Sequence, residues 1–308
     1  MNNPANSPAQ NSPQLRHLVE VLLQRYGESV NAILLYGSCL RKNDYLDGLI
    51  DLYLIVDNYD TFYRHRLPAL ANWLLPPNVF YLEVLMDGQL LRAKYAVLSS
   101  TDFIRGTSRW FHSYLWGRFA QPTALIYARD EAARNMIRES LSRAVCTFLE
   151  RTLPHLPESD TVRDLWQGAL QLSYGAELRA ESAGRAGELV DAALDYYYDV
   201  TLRSAASLRY RLTIYGDGGN ALYVAEVPPA SRRLSGFAWA LRRAQGKLLS
   251  LLRLLKALFT FHGGFDYIAW KLERHSGKTV EIPERVRRYP FIFIWSFAWR
   301  EYRRGIFR

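Results

Sequence analysis

Two apolar runs with a tight turn between them limit what this chain can fold into. The first, Ala32-Ile33-Leu34-Leu35-Tyr36, ends at Gly37-Ser38, and the second, Leu49 through Asp57, carries one carboxylate, Asp51, near its start. Short apolar runs bounded by turn residues read as buried strands. Gly37 has no Cβ, so the backbone there can approach a phosphate closely. Ser38 offers a hydroxyl and an N–H at the start of an expected helix, where the dipole favours anions. A carboxylate such as Asp51 suits Mg²⁺ held against a triphosphate. Two core strands with an incidental Asp satisfy the same spacing, and at this level both readings stand.

A Gly-Ser turn beside a strand-borne Asp is the pattern of the nucleotidyltransferase fold. The rest of the chain fits an α+β reading around it. Residues 14–27 repeat at helical spacing and stop at Gly27, and a short helix is expected over 59–73 with a break near Pro68. Residues 78–86 and 89–98 read as strands joined by Asp87-Gly88, a strong hairpin signal. One helix is expected through Trp110, Tyr114 and Gly117-Arg118, with a last strand near 123–127. Trp110 and Tyr114, four apart on that helix, read as packing residues. From 130 the pattern turns helical (130–152, 161–183, 187–204), and 207–230 reads as a hairpin or small wing. The fold class expected is a nucleotidyltransferase-type mixed sheet with flanking helices, then a mostly helical, winged-helix-like domain, then a basic aromatic C-terminal segment. The divisions fall at a flexible tail 1–13, then 14–128, 129–231 and 232–308.

Composition narrows the partners. The net charge of +9 favours anions: nucleotide, nucleic acid or acidic lipid. No RNA-binding module motif accompanies it, so nucleic acid is not the expected partner. Two cysteines, Cys39 and Cys146, exclude a disulfide framework. The six histidines show no metal-ligand spacing. The start of the chain is polar and Pro-rich, unlike a signal peptide or a presequence, and no run of 18 uncharged apolar residues exists. Lys247 to Phe261 is mostly Leu and Phe, with Lys247, Ser250, Arg253, Lys256 and Thr260 as a polar stripe. With the aromatic and Arg-rich stretch from Tyr289, this reads as a segment able to lie on an anionic membrane, or as a core helix with a solvated basic end.

Five ordered blocks carry a family resemblance. They are Tyr36-Gly37-Ser38; Ile50-Asp51-Leu52 through Val56-Asp57; Asp87-Gly88 leading to Lys94-Tyr95-Ala96-Val97-Leu98-Ser99; Trp110, Tyr114, Gly117, Arg118 and Pro122; and Leu172-Ser173-Tyr174-Gly175-Ala176-Glu177-Leu178-Arg179. The chain resembles the mitochondrial-type phosphatidate cytidylyltransferases (CDP-diacylglycerol synthases of the translocator assembly and maintenance group). Position 53 is Tyr, where Asp-x-Asp enzymes carry a second acid.

The resemblance implies a reaction of CTP with phosphatidate, or another anionic lipid, giving CDP-diacylglycerol and pyrophosphate with Mg²⁺. It implies catalytic roles for Asp51, Lys94 and Arg118. Nucleotide binding would fall to Tyr36, Gly37, Ser38, Ser173, Tyr174 and Arg179. Metal binding would fall to Asp51, with Glu83 or Glu177 as second carboxylate. Asp57 is expected to be a strand-end residue. The enzyme expected is a bacterial relative, cytoplasmic and peripheral on the inner face of the cell membrane; a homo-oligomer is compatible with the sequence. A nucleotidyltransferase for another phosphorylated lipid or small molecule is the alternative, as is a degenerate domain that binds nucleotide and membrane without catalysis.

Overall fold

The computed structural model of the protein describes residues 12–46, 48–177, 183–260 and 280–288, with 273, 293, 296, 297, 299, 300 and 303. The N-terminal tail up to 11, Arg179 and most of the chain beyond 260 lie outside the described residues.

The chain opens with α1 (Pro13–Tyr26), which Ser12 caps through its hydroxyl and which buries Leu15, Leu18 and Leu22. Five strands then form one mixed sheet, ordered β3-β4-β2-β1-β5. They are β1 (Val30–Tyr36), β2 (Ile50–Val56), β3 (Asn78–Met86), β4 (Gln89–Ser99) and β5 (Thr123–Ala128). Only β2 and β4 run parallel; the other neighbours are antiparallel. The hairpin expected at Asp87-Gly88 is present, with both residues at positive φ (50° and 76°), the backbone that this turn demands.

Alternation along the strands divides their side chains between two cores. Ile33, Leu35, Leu52, Leu54, Tyr95 and Val97 face α1 and its neighbours. Leu34, Tyr53, Ile55, Ala96, Leu98 and Leu125 face the other way, into a cluster that continues through Phe148, Trp166, Tyr197 and Tyr223 to Trp239. One apolar core therefore joins the sheet to everything that follows it.

Two helical expectations near the sheet are corrected. The break expected at Pro68 falls earlier, between α3 (Tyr59–Phe62) and α4 (Arg66–Leu74). Pro68 sits in the first turn of α4, where a missing N–H costs no helical bond. The single helix expected through Trp110 and Tyr114 is instead α5 (Ser100–Ser108) and the single turn α6 (Trp116–Phe119). The chain folds back because Leu115 packs over Gly106, where a Cβ would lie 2.3 Å from Leu115 Cδ1. Trp116 Nε1 also donates to the Trp110 carbonyl at 3.0 Å.

The second half is helical around a small antiparallel sheet ordered β6-β8-β7. Its elements are α7 (Glu131–Thr152), β6 (Ser159–Thr161), α8 (Val162–Tyr174), α9 (Ala183–Asp191), α10 (Leu194–Ser204), β7 (Arg211–Tyr215) and β8 (Leu222–Glu226). The expected hairpin over 207–230 is the β7–β8 pair. A long helix, α11 (Pro229–Thr260), follows and runs across the division expected at 231/232.

The inward face of α11 is the unexpected one. Trp239 is fully buried and Arg242 is 4 % exposed. Gly246 packs so closely on Ala176 that a Cβ would lie 2.2 Å from its carbonyl oxygen. Arg253 Nε donates to Pro76 O at 3.0 Å, and Lys256 Nζ donates to Leu75 O and, at 2.8 Å, to Pro77 O. Arg253 and Lys256 of the polar stripe thus turn toward the protein, while Lys247 and five leucines between 248 and 255 are exposed. No described helix is long and apolar enough to cross a membrane.

Candidate active site

One row of side chains crosses the whole five-stranded sheet at the end of its helix-facing side. Register pairs Tyr81 with Lys94, Lys94 with Asp51, Asp51 with Tyr36, and Tyr36 with Thr123. Residues two apart on a strand share a face, so Asp51 stands beside Tyr53, Lys94 beside Ala96 and Tyr36 beside Leu34. The row is the place where the apolar face becomes polar.

Gly37 closes this row at its centre. Its backbone (φ 89°, ψ −158°) lies in a region that essentially only glycine occupies. A Cβ there would sit 3.0 Å from Asp51 Oδ2. The bend and the carboxylate are therefore in contact, as the two halves of the motif require. Ser38 follows as the first residue of α2 (Ser38–Lys42). Asp51 Oδ1 lies 2.9 Å from Lys94 Nζ, and the two side chains keep 21% and 29% of their surface exposed. Both are accessible to a ligand. The same carboxylate oxygen is buried, with the Lys94 ammonium as its partner. Beneath the bend, burial and then Asp51 push the Cys39 thiol up to about 11, which leaves it a protonated core residue.

Arg118 stands over the other end of the row. Its Nη1 donates to the hydroxyls of Tyr36 and Tyr53, each at 3.3 Å, and its Nη2 lies 3.6 Å from Glu177 Oε1. The guanidinium carbon is 4.8 Å from the centre of the Tyr114 ring and 5.4 Å from that of Tyr36. Burial works against this charge, but Tyr53, Tyr114, Tyr36 and Glu177 outweigh it, and Arg118 is held well above its ordinary pKa. Burial, then Asp51, lifts the Tyr36 phenol to about 12, so it stays neutral. Arg253 of α11 reaches the same aromatic ring, with its guanidinium carbon 4.0 Å from the Tyr114 centre. Two cations thus rest on one tyrosine at the edge of the row, where charge is held for an anion.

The remaining expected residues are dispersed. Glu83 shares the row's face one step further along β3, exposed, where it accepts from Tyr81 at 2.7 Å and from Arg92 Nε at 3.3 Å. Ser173 is 3% exposed and lies against Gly117, where a Cβ would meet its hydroxyl at 2.2 Å. Its place is the α6–α8 contact. Tyr174 donates to Gln121 Oε1 at 2.8 Å, and Gln121 in turn donates to the Gly117 carbonyl at 3.0 Å. Arg179 lies outside the described residues. Asp57 is a strand-end residue as expected, tied to Arg129 at 2.8 Å and to Asn31 at 2.7 Å. Among the described residues no cluster of three or more His, Cys, Asp or Glu could hold a metal ion.

Sequence reasoning passed over Tyr53, Tyr114 and Arg253. Tyr53 stands out in the sequence only as a missing acid; in the structure its buried hydroxyl accepts from Arg118 instead. Tyr114 reads as packing only because a helix was expected there. Arg253 has no local signal, since it lies 139 positions beyond the tyrosine it covers.

Comparison with known proteins gives an independent view. Residues 72–194 match a family model described as "Phosphatidate cytidylyltransferase, mitochondrial". The human protein of that name is 24% identical over 183 aligned residues, which cover 51% of this chain and 39% of that protein. The bovine and rat proteins of the same name are 24% and 23% identical, each alignment covering 51% of this chain and 52% of the relative. The chain spans about half or less of the length of the curated relatives it matches. The family-model match takes in Lys94 and Arg118, but Gly37, Asp51 and Arg253 lie outside it.

Proposed function

We propose that this chain, which is similar to mitochondrial phosphatidate cytidylyltransferases over part of its length, joins CTP to phosphatidate, giving CDP-diacylglycerol and pyrophosphate. An oxygen of the lipid phosphate attacks the α-phosphorus of CTP, and the bond from that phosphorus to the bridging oxygen breaks, releasing pyrophosphate. The attacking group is already anionic near neutral pH. It needs neither a strong base nor a protein nucleophile; the barrier is charge repulsion and alignment.

The observation that carries this reading is the contact between the Gly37 bend and Asp51, within the row that also holds Lys94 and Tyr36. The bend gives triphosphate a backbone surface with no Cβ in the way. Lys94 neutralises phosphate charge from the sheet side, and Arg118, fixed by two tyrosine hydroxyls, does so from the helical side. Mg²⁺ fits the donor set at Asp51: a hard cation takes one or two carboxylates and completes its shell with phosphate oxygens and water. Asp51 Oδ1 faces the Lys94 ammonium at 2.9 Å, so a bound ion would share or take over that carboxylate from Lys94. When bound, the ion would supply charge neutralisation of the phosphates. Glu177 is the candidate second carboxylate on the Asp51 side, since its partner Arg118 touches Tyr36, paired with Asp51, and Tyr53 beside it. The protein would act at a membrane surface, where its acceptor resides.

The test is turnover of CTP with phosphatidate vesicles and Mg²⁺, followed as pyrophosphate and as CDP-diacylglycerol, for the wild type and Asp51→Asn. Wild-type turnover with loss in the variant, at similar melting temperature, is the expected result. Activity of Asp51→Asn close to wild type would remove Asp51 from the site. Pyrophosphate released only with some other phosphorylated acceptor would keep the enzyme and change its substrate. No turnover with any nucleotide, with vesicle binding intact, would make the chain a binding protein.

A further inference from the structure

Two acids two apart on a strand share one face and can hold two cations between them. Asp51 has no such neighbour, because the next position on its face of β2 is Tyr53. The phenol there is fully buried, although a Phe would fill the same space. Its ring packs edge-on against Phe119, with centres 4.9 Å apart, and lies 5.0 Å from the ring of Tyr36. A buried hydroxyl costs free energy unless it is partnered. This one accepts from Arg118 Nη1 at 3.3 Å and donates toward the Tyr114 hydroxyl at 3.5 Å.

An acid at position 53 would act differently. A carboxylate beside Arg118 would cancel its charge, whereas a phenol hydroxyl accepts from the guanidinium and leaves the charge intact. Tyr36 makes the same contact at 3.3 Å, and the Tyr114 ring centre lies 4.8 Å from the guanidinium carbon. Three phenols therefore orient one arginine where an acid would neutralise it. The acid that does approach is Glu177, with Oε1 3.6 Å from Nη2 and both side chains part-exposed. That separation is longer than a hydrogen bond, so an incoming phosphate can displace it.

Position decides which phosphate Arg118 meets. Tyr36 immediately precedes the Gly37 bend and pairs with Asp51. The arginine held by Tyr36 and Tyr53 therefore stands beside the bend that the reading above gives to triphosphate.

We propose that Tyr53 is a positioning residue that aims Arg118 at the triphosphate, so that a guanidinium fixed in the protein replaces the second cation an acid at 53 would recruit. This deepens the reading above and rests on it for the bend as a triphosphate site.

The experiment is calorimetric titration of the full chain with inorganic tripolyphosphate, in EDTA and then with Mg²⁺. It compares the wild type, Tyr53→Phe, Arg118→Gln and the double variant; Phe keeps the buried ring and removes only the hydroxyl. We expect the wild type to bind without metal, Tyr53→Phe to bind about five- to tenfold more weakly, and the double variant to bind no worse than Arg118→Gln. A residue acting through Arg118 gives that pattern, whereas a structural loss at 53 would multiply with the loss at 118. Wild-type affinity in Tyr53→Phe, multiplied losses in the double variant, or no wild-type binding in EDTA would each overturn the proposal. A soluble short-chain phosphatidate, titrated in parallel, should bind Tyr53→Phe and the wild type alike; weakening there instead of with tripolyphosphate would move Arg118 to the acceptor phosphate and overturn the assignment. Coupled losses of tripolyphosphate binding without any CTP turnover would leave the role of Tyr53 standing and remove the enzymatic reading. Turnover of CTP with phosphatidate by a chain whose tripolyphosphate binding ignores Tyr53 would do the reverse.

Discussion

Gly37→Ala tests the contact on which the site depends. Two costs are worked from the structure. The backbone at φ 89°, ψ −158° is a glycine conformation, and holding an alanine there costs on the order of 1–3 kcal/mol. The added Cβ would lie 3.0 Å from Asp51 Oδ2, tighter than ordinary van der Waals contact, and 3.5 Å from Asp51 Cβ. Either the bend or the carboxylate must move by a few tenths of an ångström. For a chain of 308 residues the backbone cost alone corresponds to a fall in melting temperature of roughly 1.5–5 °C. Because Asp51 is the nearer neighbour, Asp51→Ala in the same chain should relieve the steric part and leave the backbone part. The coupling between the two substitutions should therefore be favourable, as expected of residues in contact. The assay is thermal unfolding of the four members of the cycle, with pyrophosphate release from CTP as the second measurement. Gly37→Ala as stable as wild type, with no coupling to Asp51→Ala, would refute both the conformation and the contact.

Two further predictions concern the rest of the molecule. Trp239→Ala should destabilise the protein by about 3–5 kcal/mol in urea unfolding, because its ring is fully buried and its Nε1 donates to the Arg151 carbonyl at 3.0 Å. Phe237→Ala, two residues away and 73% exposed, should change stability by about 0.5 kcal/mol or less; the reverse order would mean that α11 docks by its other face. His112 is held down to about 4 by burial and then by nearby Arg253, against an ordinary value of 6.5. The unfolded chain takes up this proton first as pH falls, so the protein should lose stability below about pH 6.5 and continue to lose it toward pH 4, with about 2 kcal/mol gone by pH 5. His112→Gln should flatten that part of the stability profile measured by chemical unfolding; an unchanged slope would place the proton elsewhere.

Local chemistry made much of this protein legible before any coordinates. The strands β1 and β2 follow from apolar runs bounded by turn residues, and the β3–β4 hairpin from Asp87-Gly88, because only such residues accept positive φ cheaply. The Gly37 bend and the Asp51 beside it are also local in origin, since antiparallel register brings the end of one strand opposite the start of the next. Helix α7 follows from its own periodicity, with Asp130 as its cap.

The tertiary structure decided what no window of sequence contains. Arg118 sits on a single-turn helix whose flanking loop looks helical in the sequence, and it is held by hydroxyls from two strands. Tyr114 meets Arg118 and Arg253 only because the chain folds back over Gly106. Periodicity in α11 shows that its two faces differ, yet hydropathy alone assigns the apolar one to the core. The carbonyls of residues 75–77 and the buried ring of Trp239 reverse that assignment. Long-range contacts choose the partner of each face, and the choice depends on where the rest of the chain places its unpaired groups.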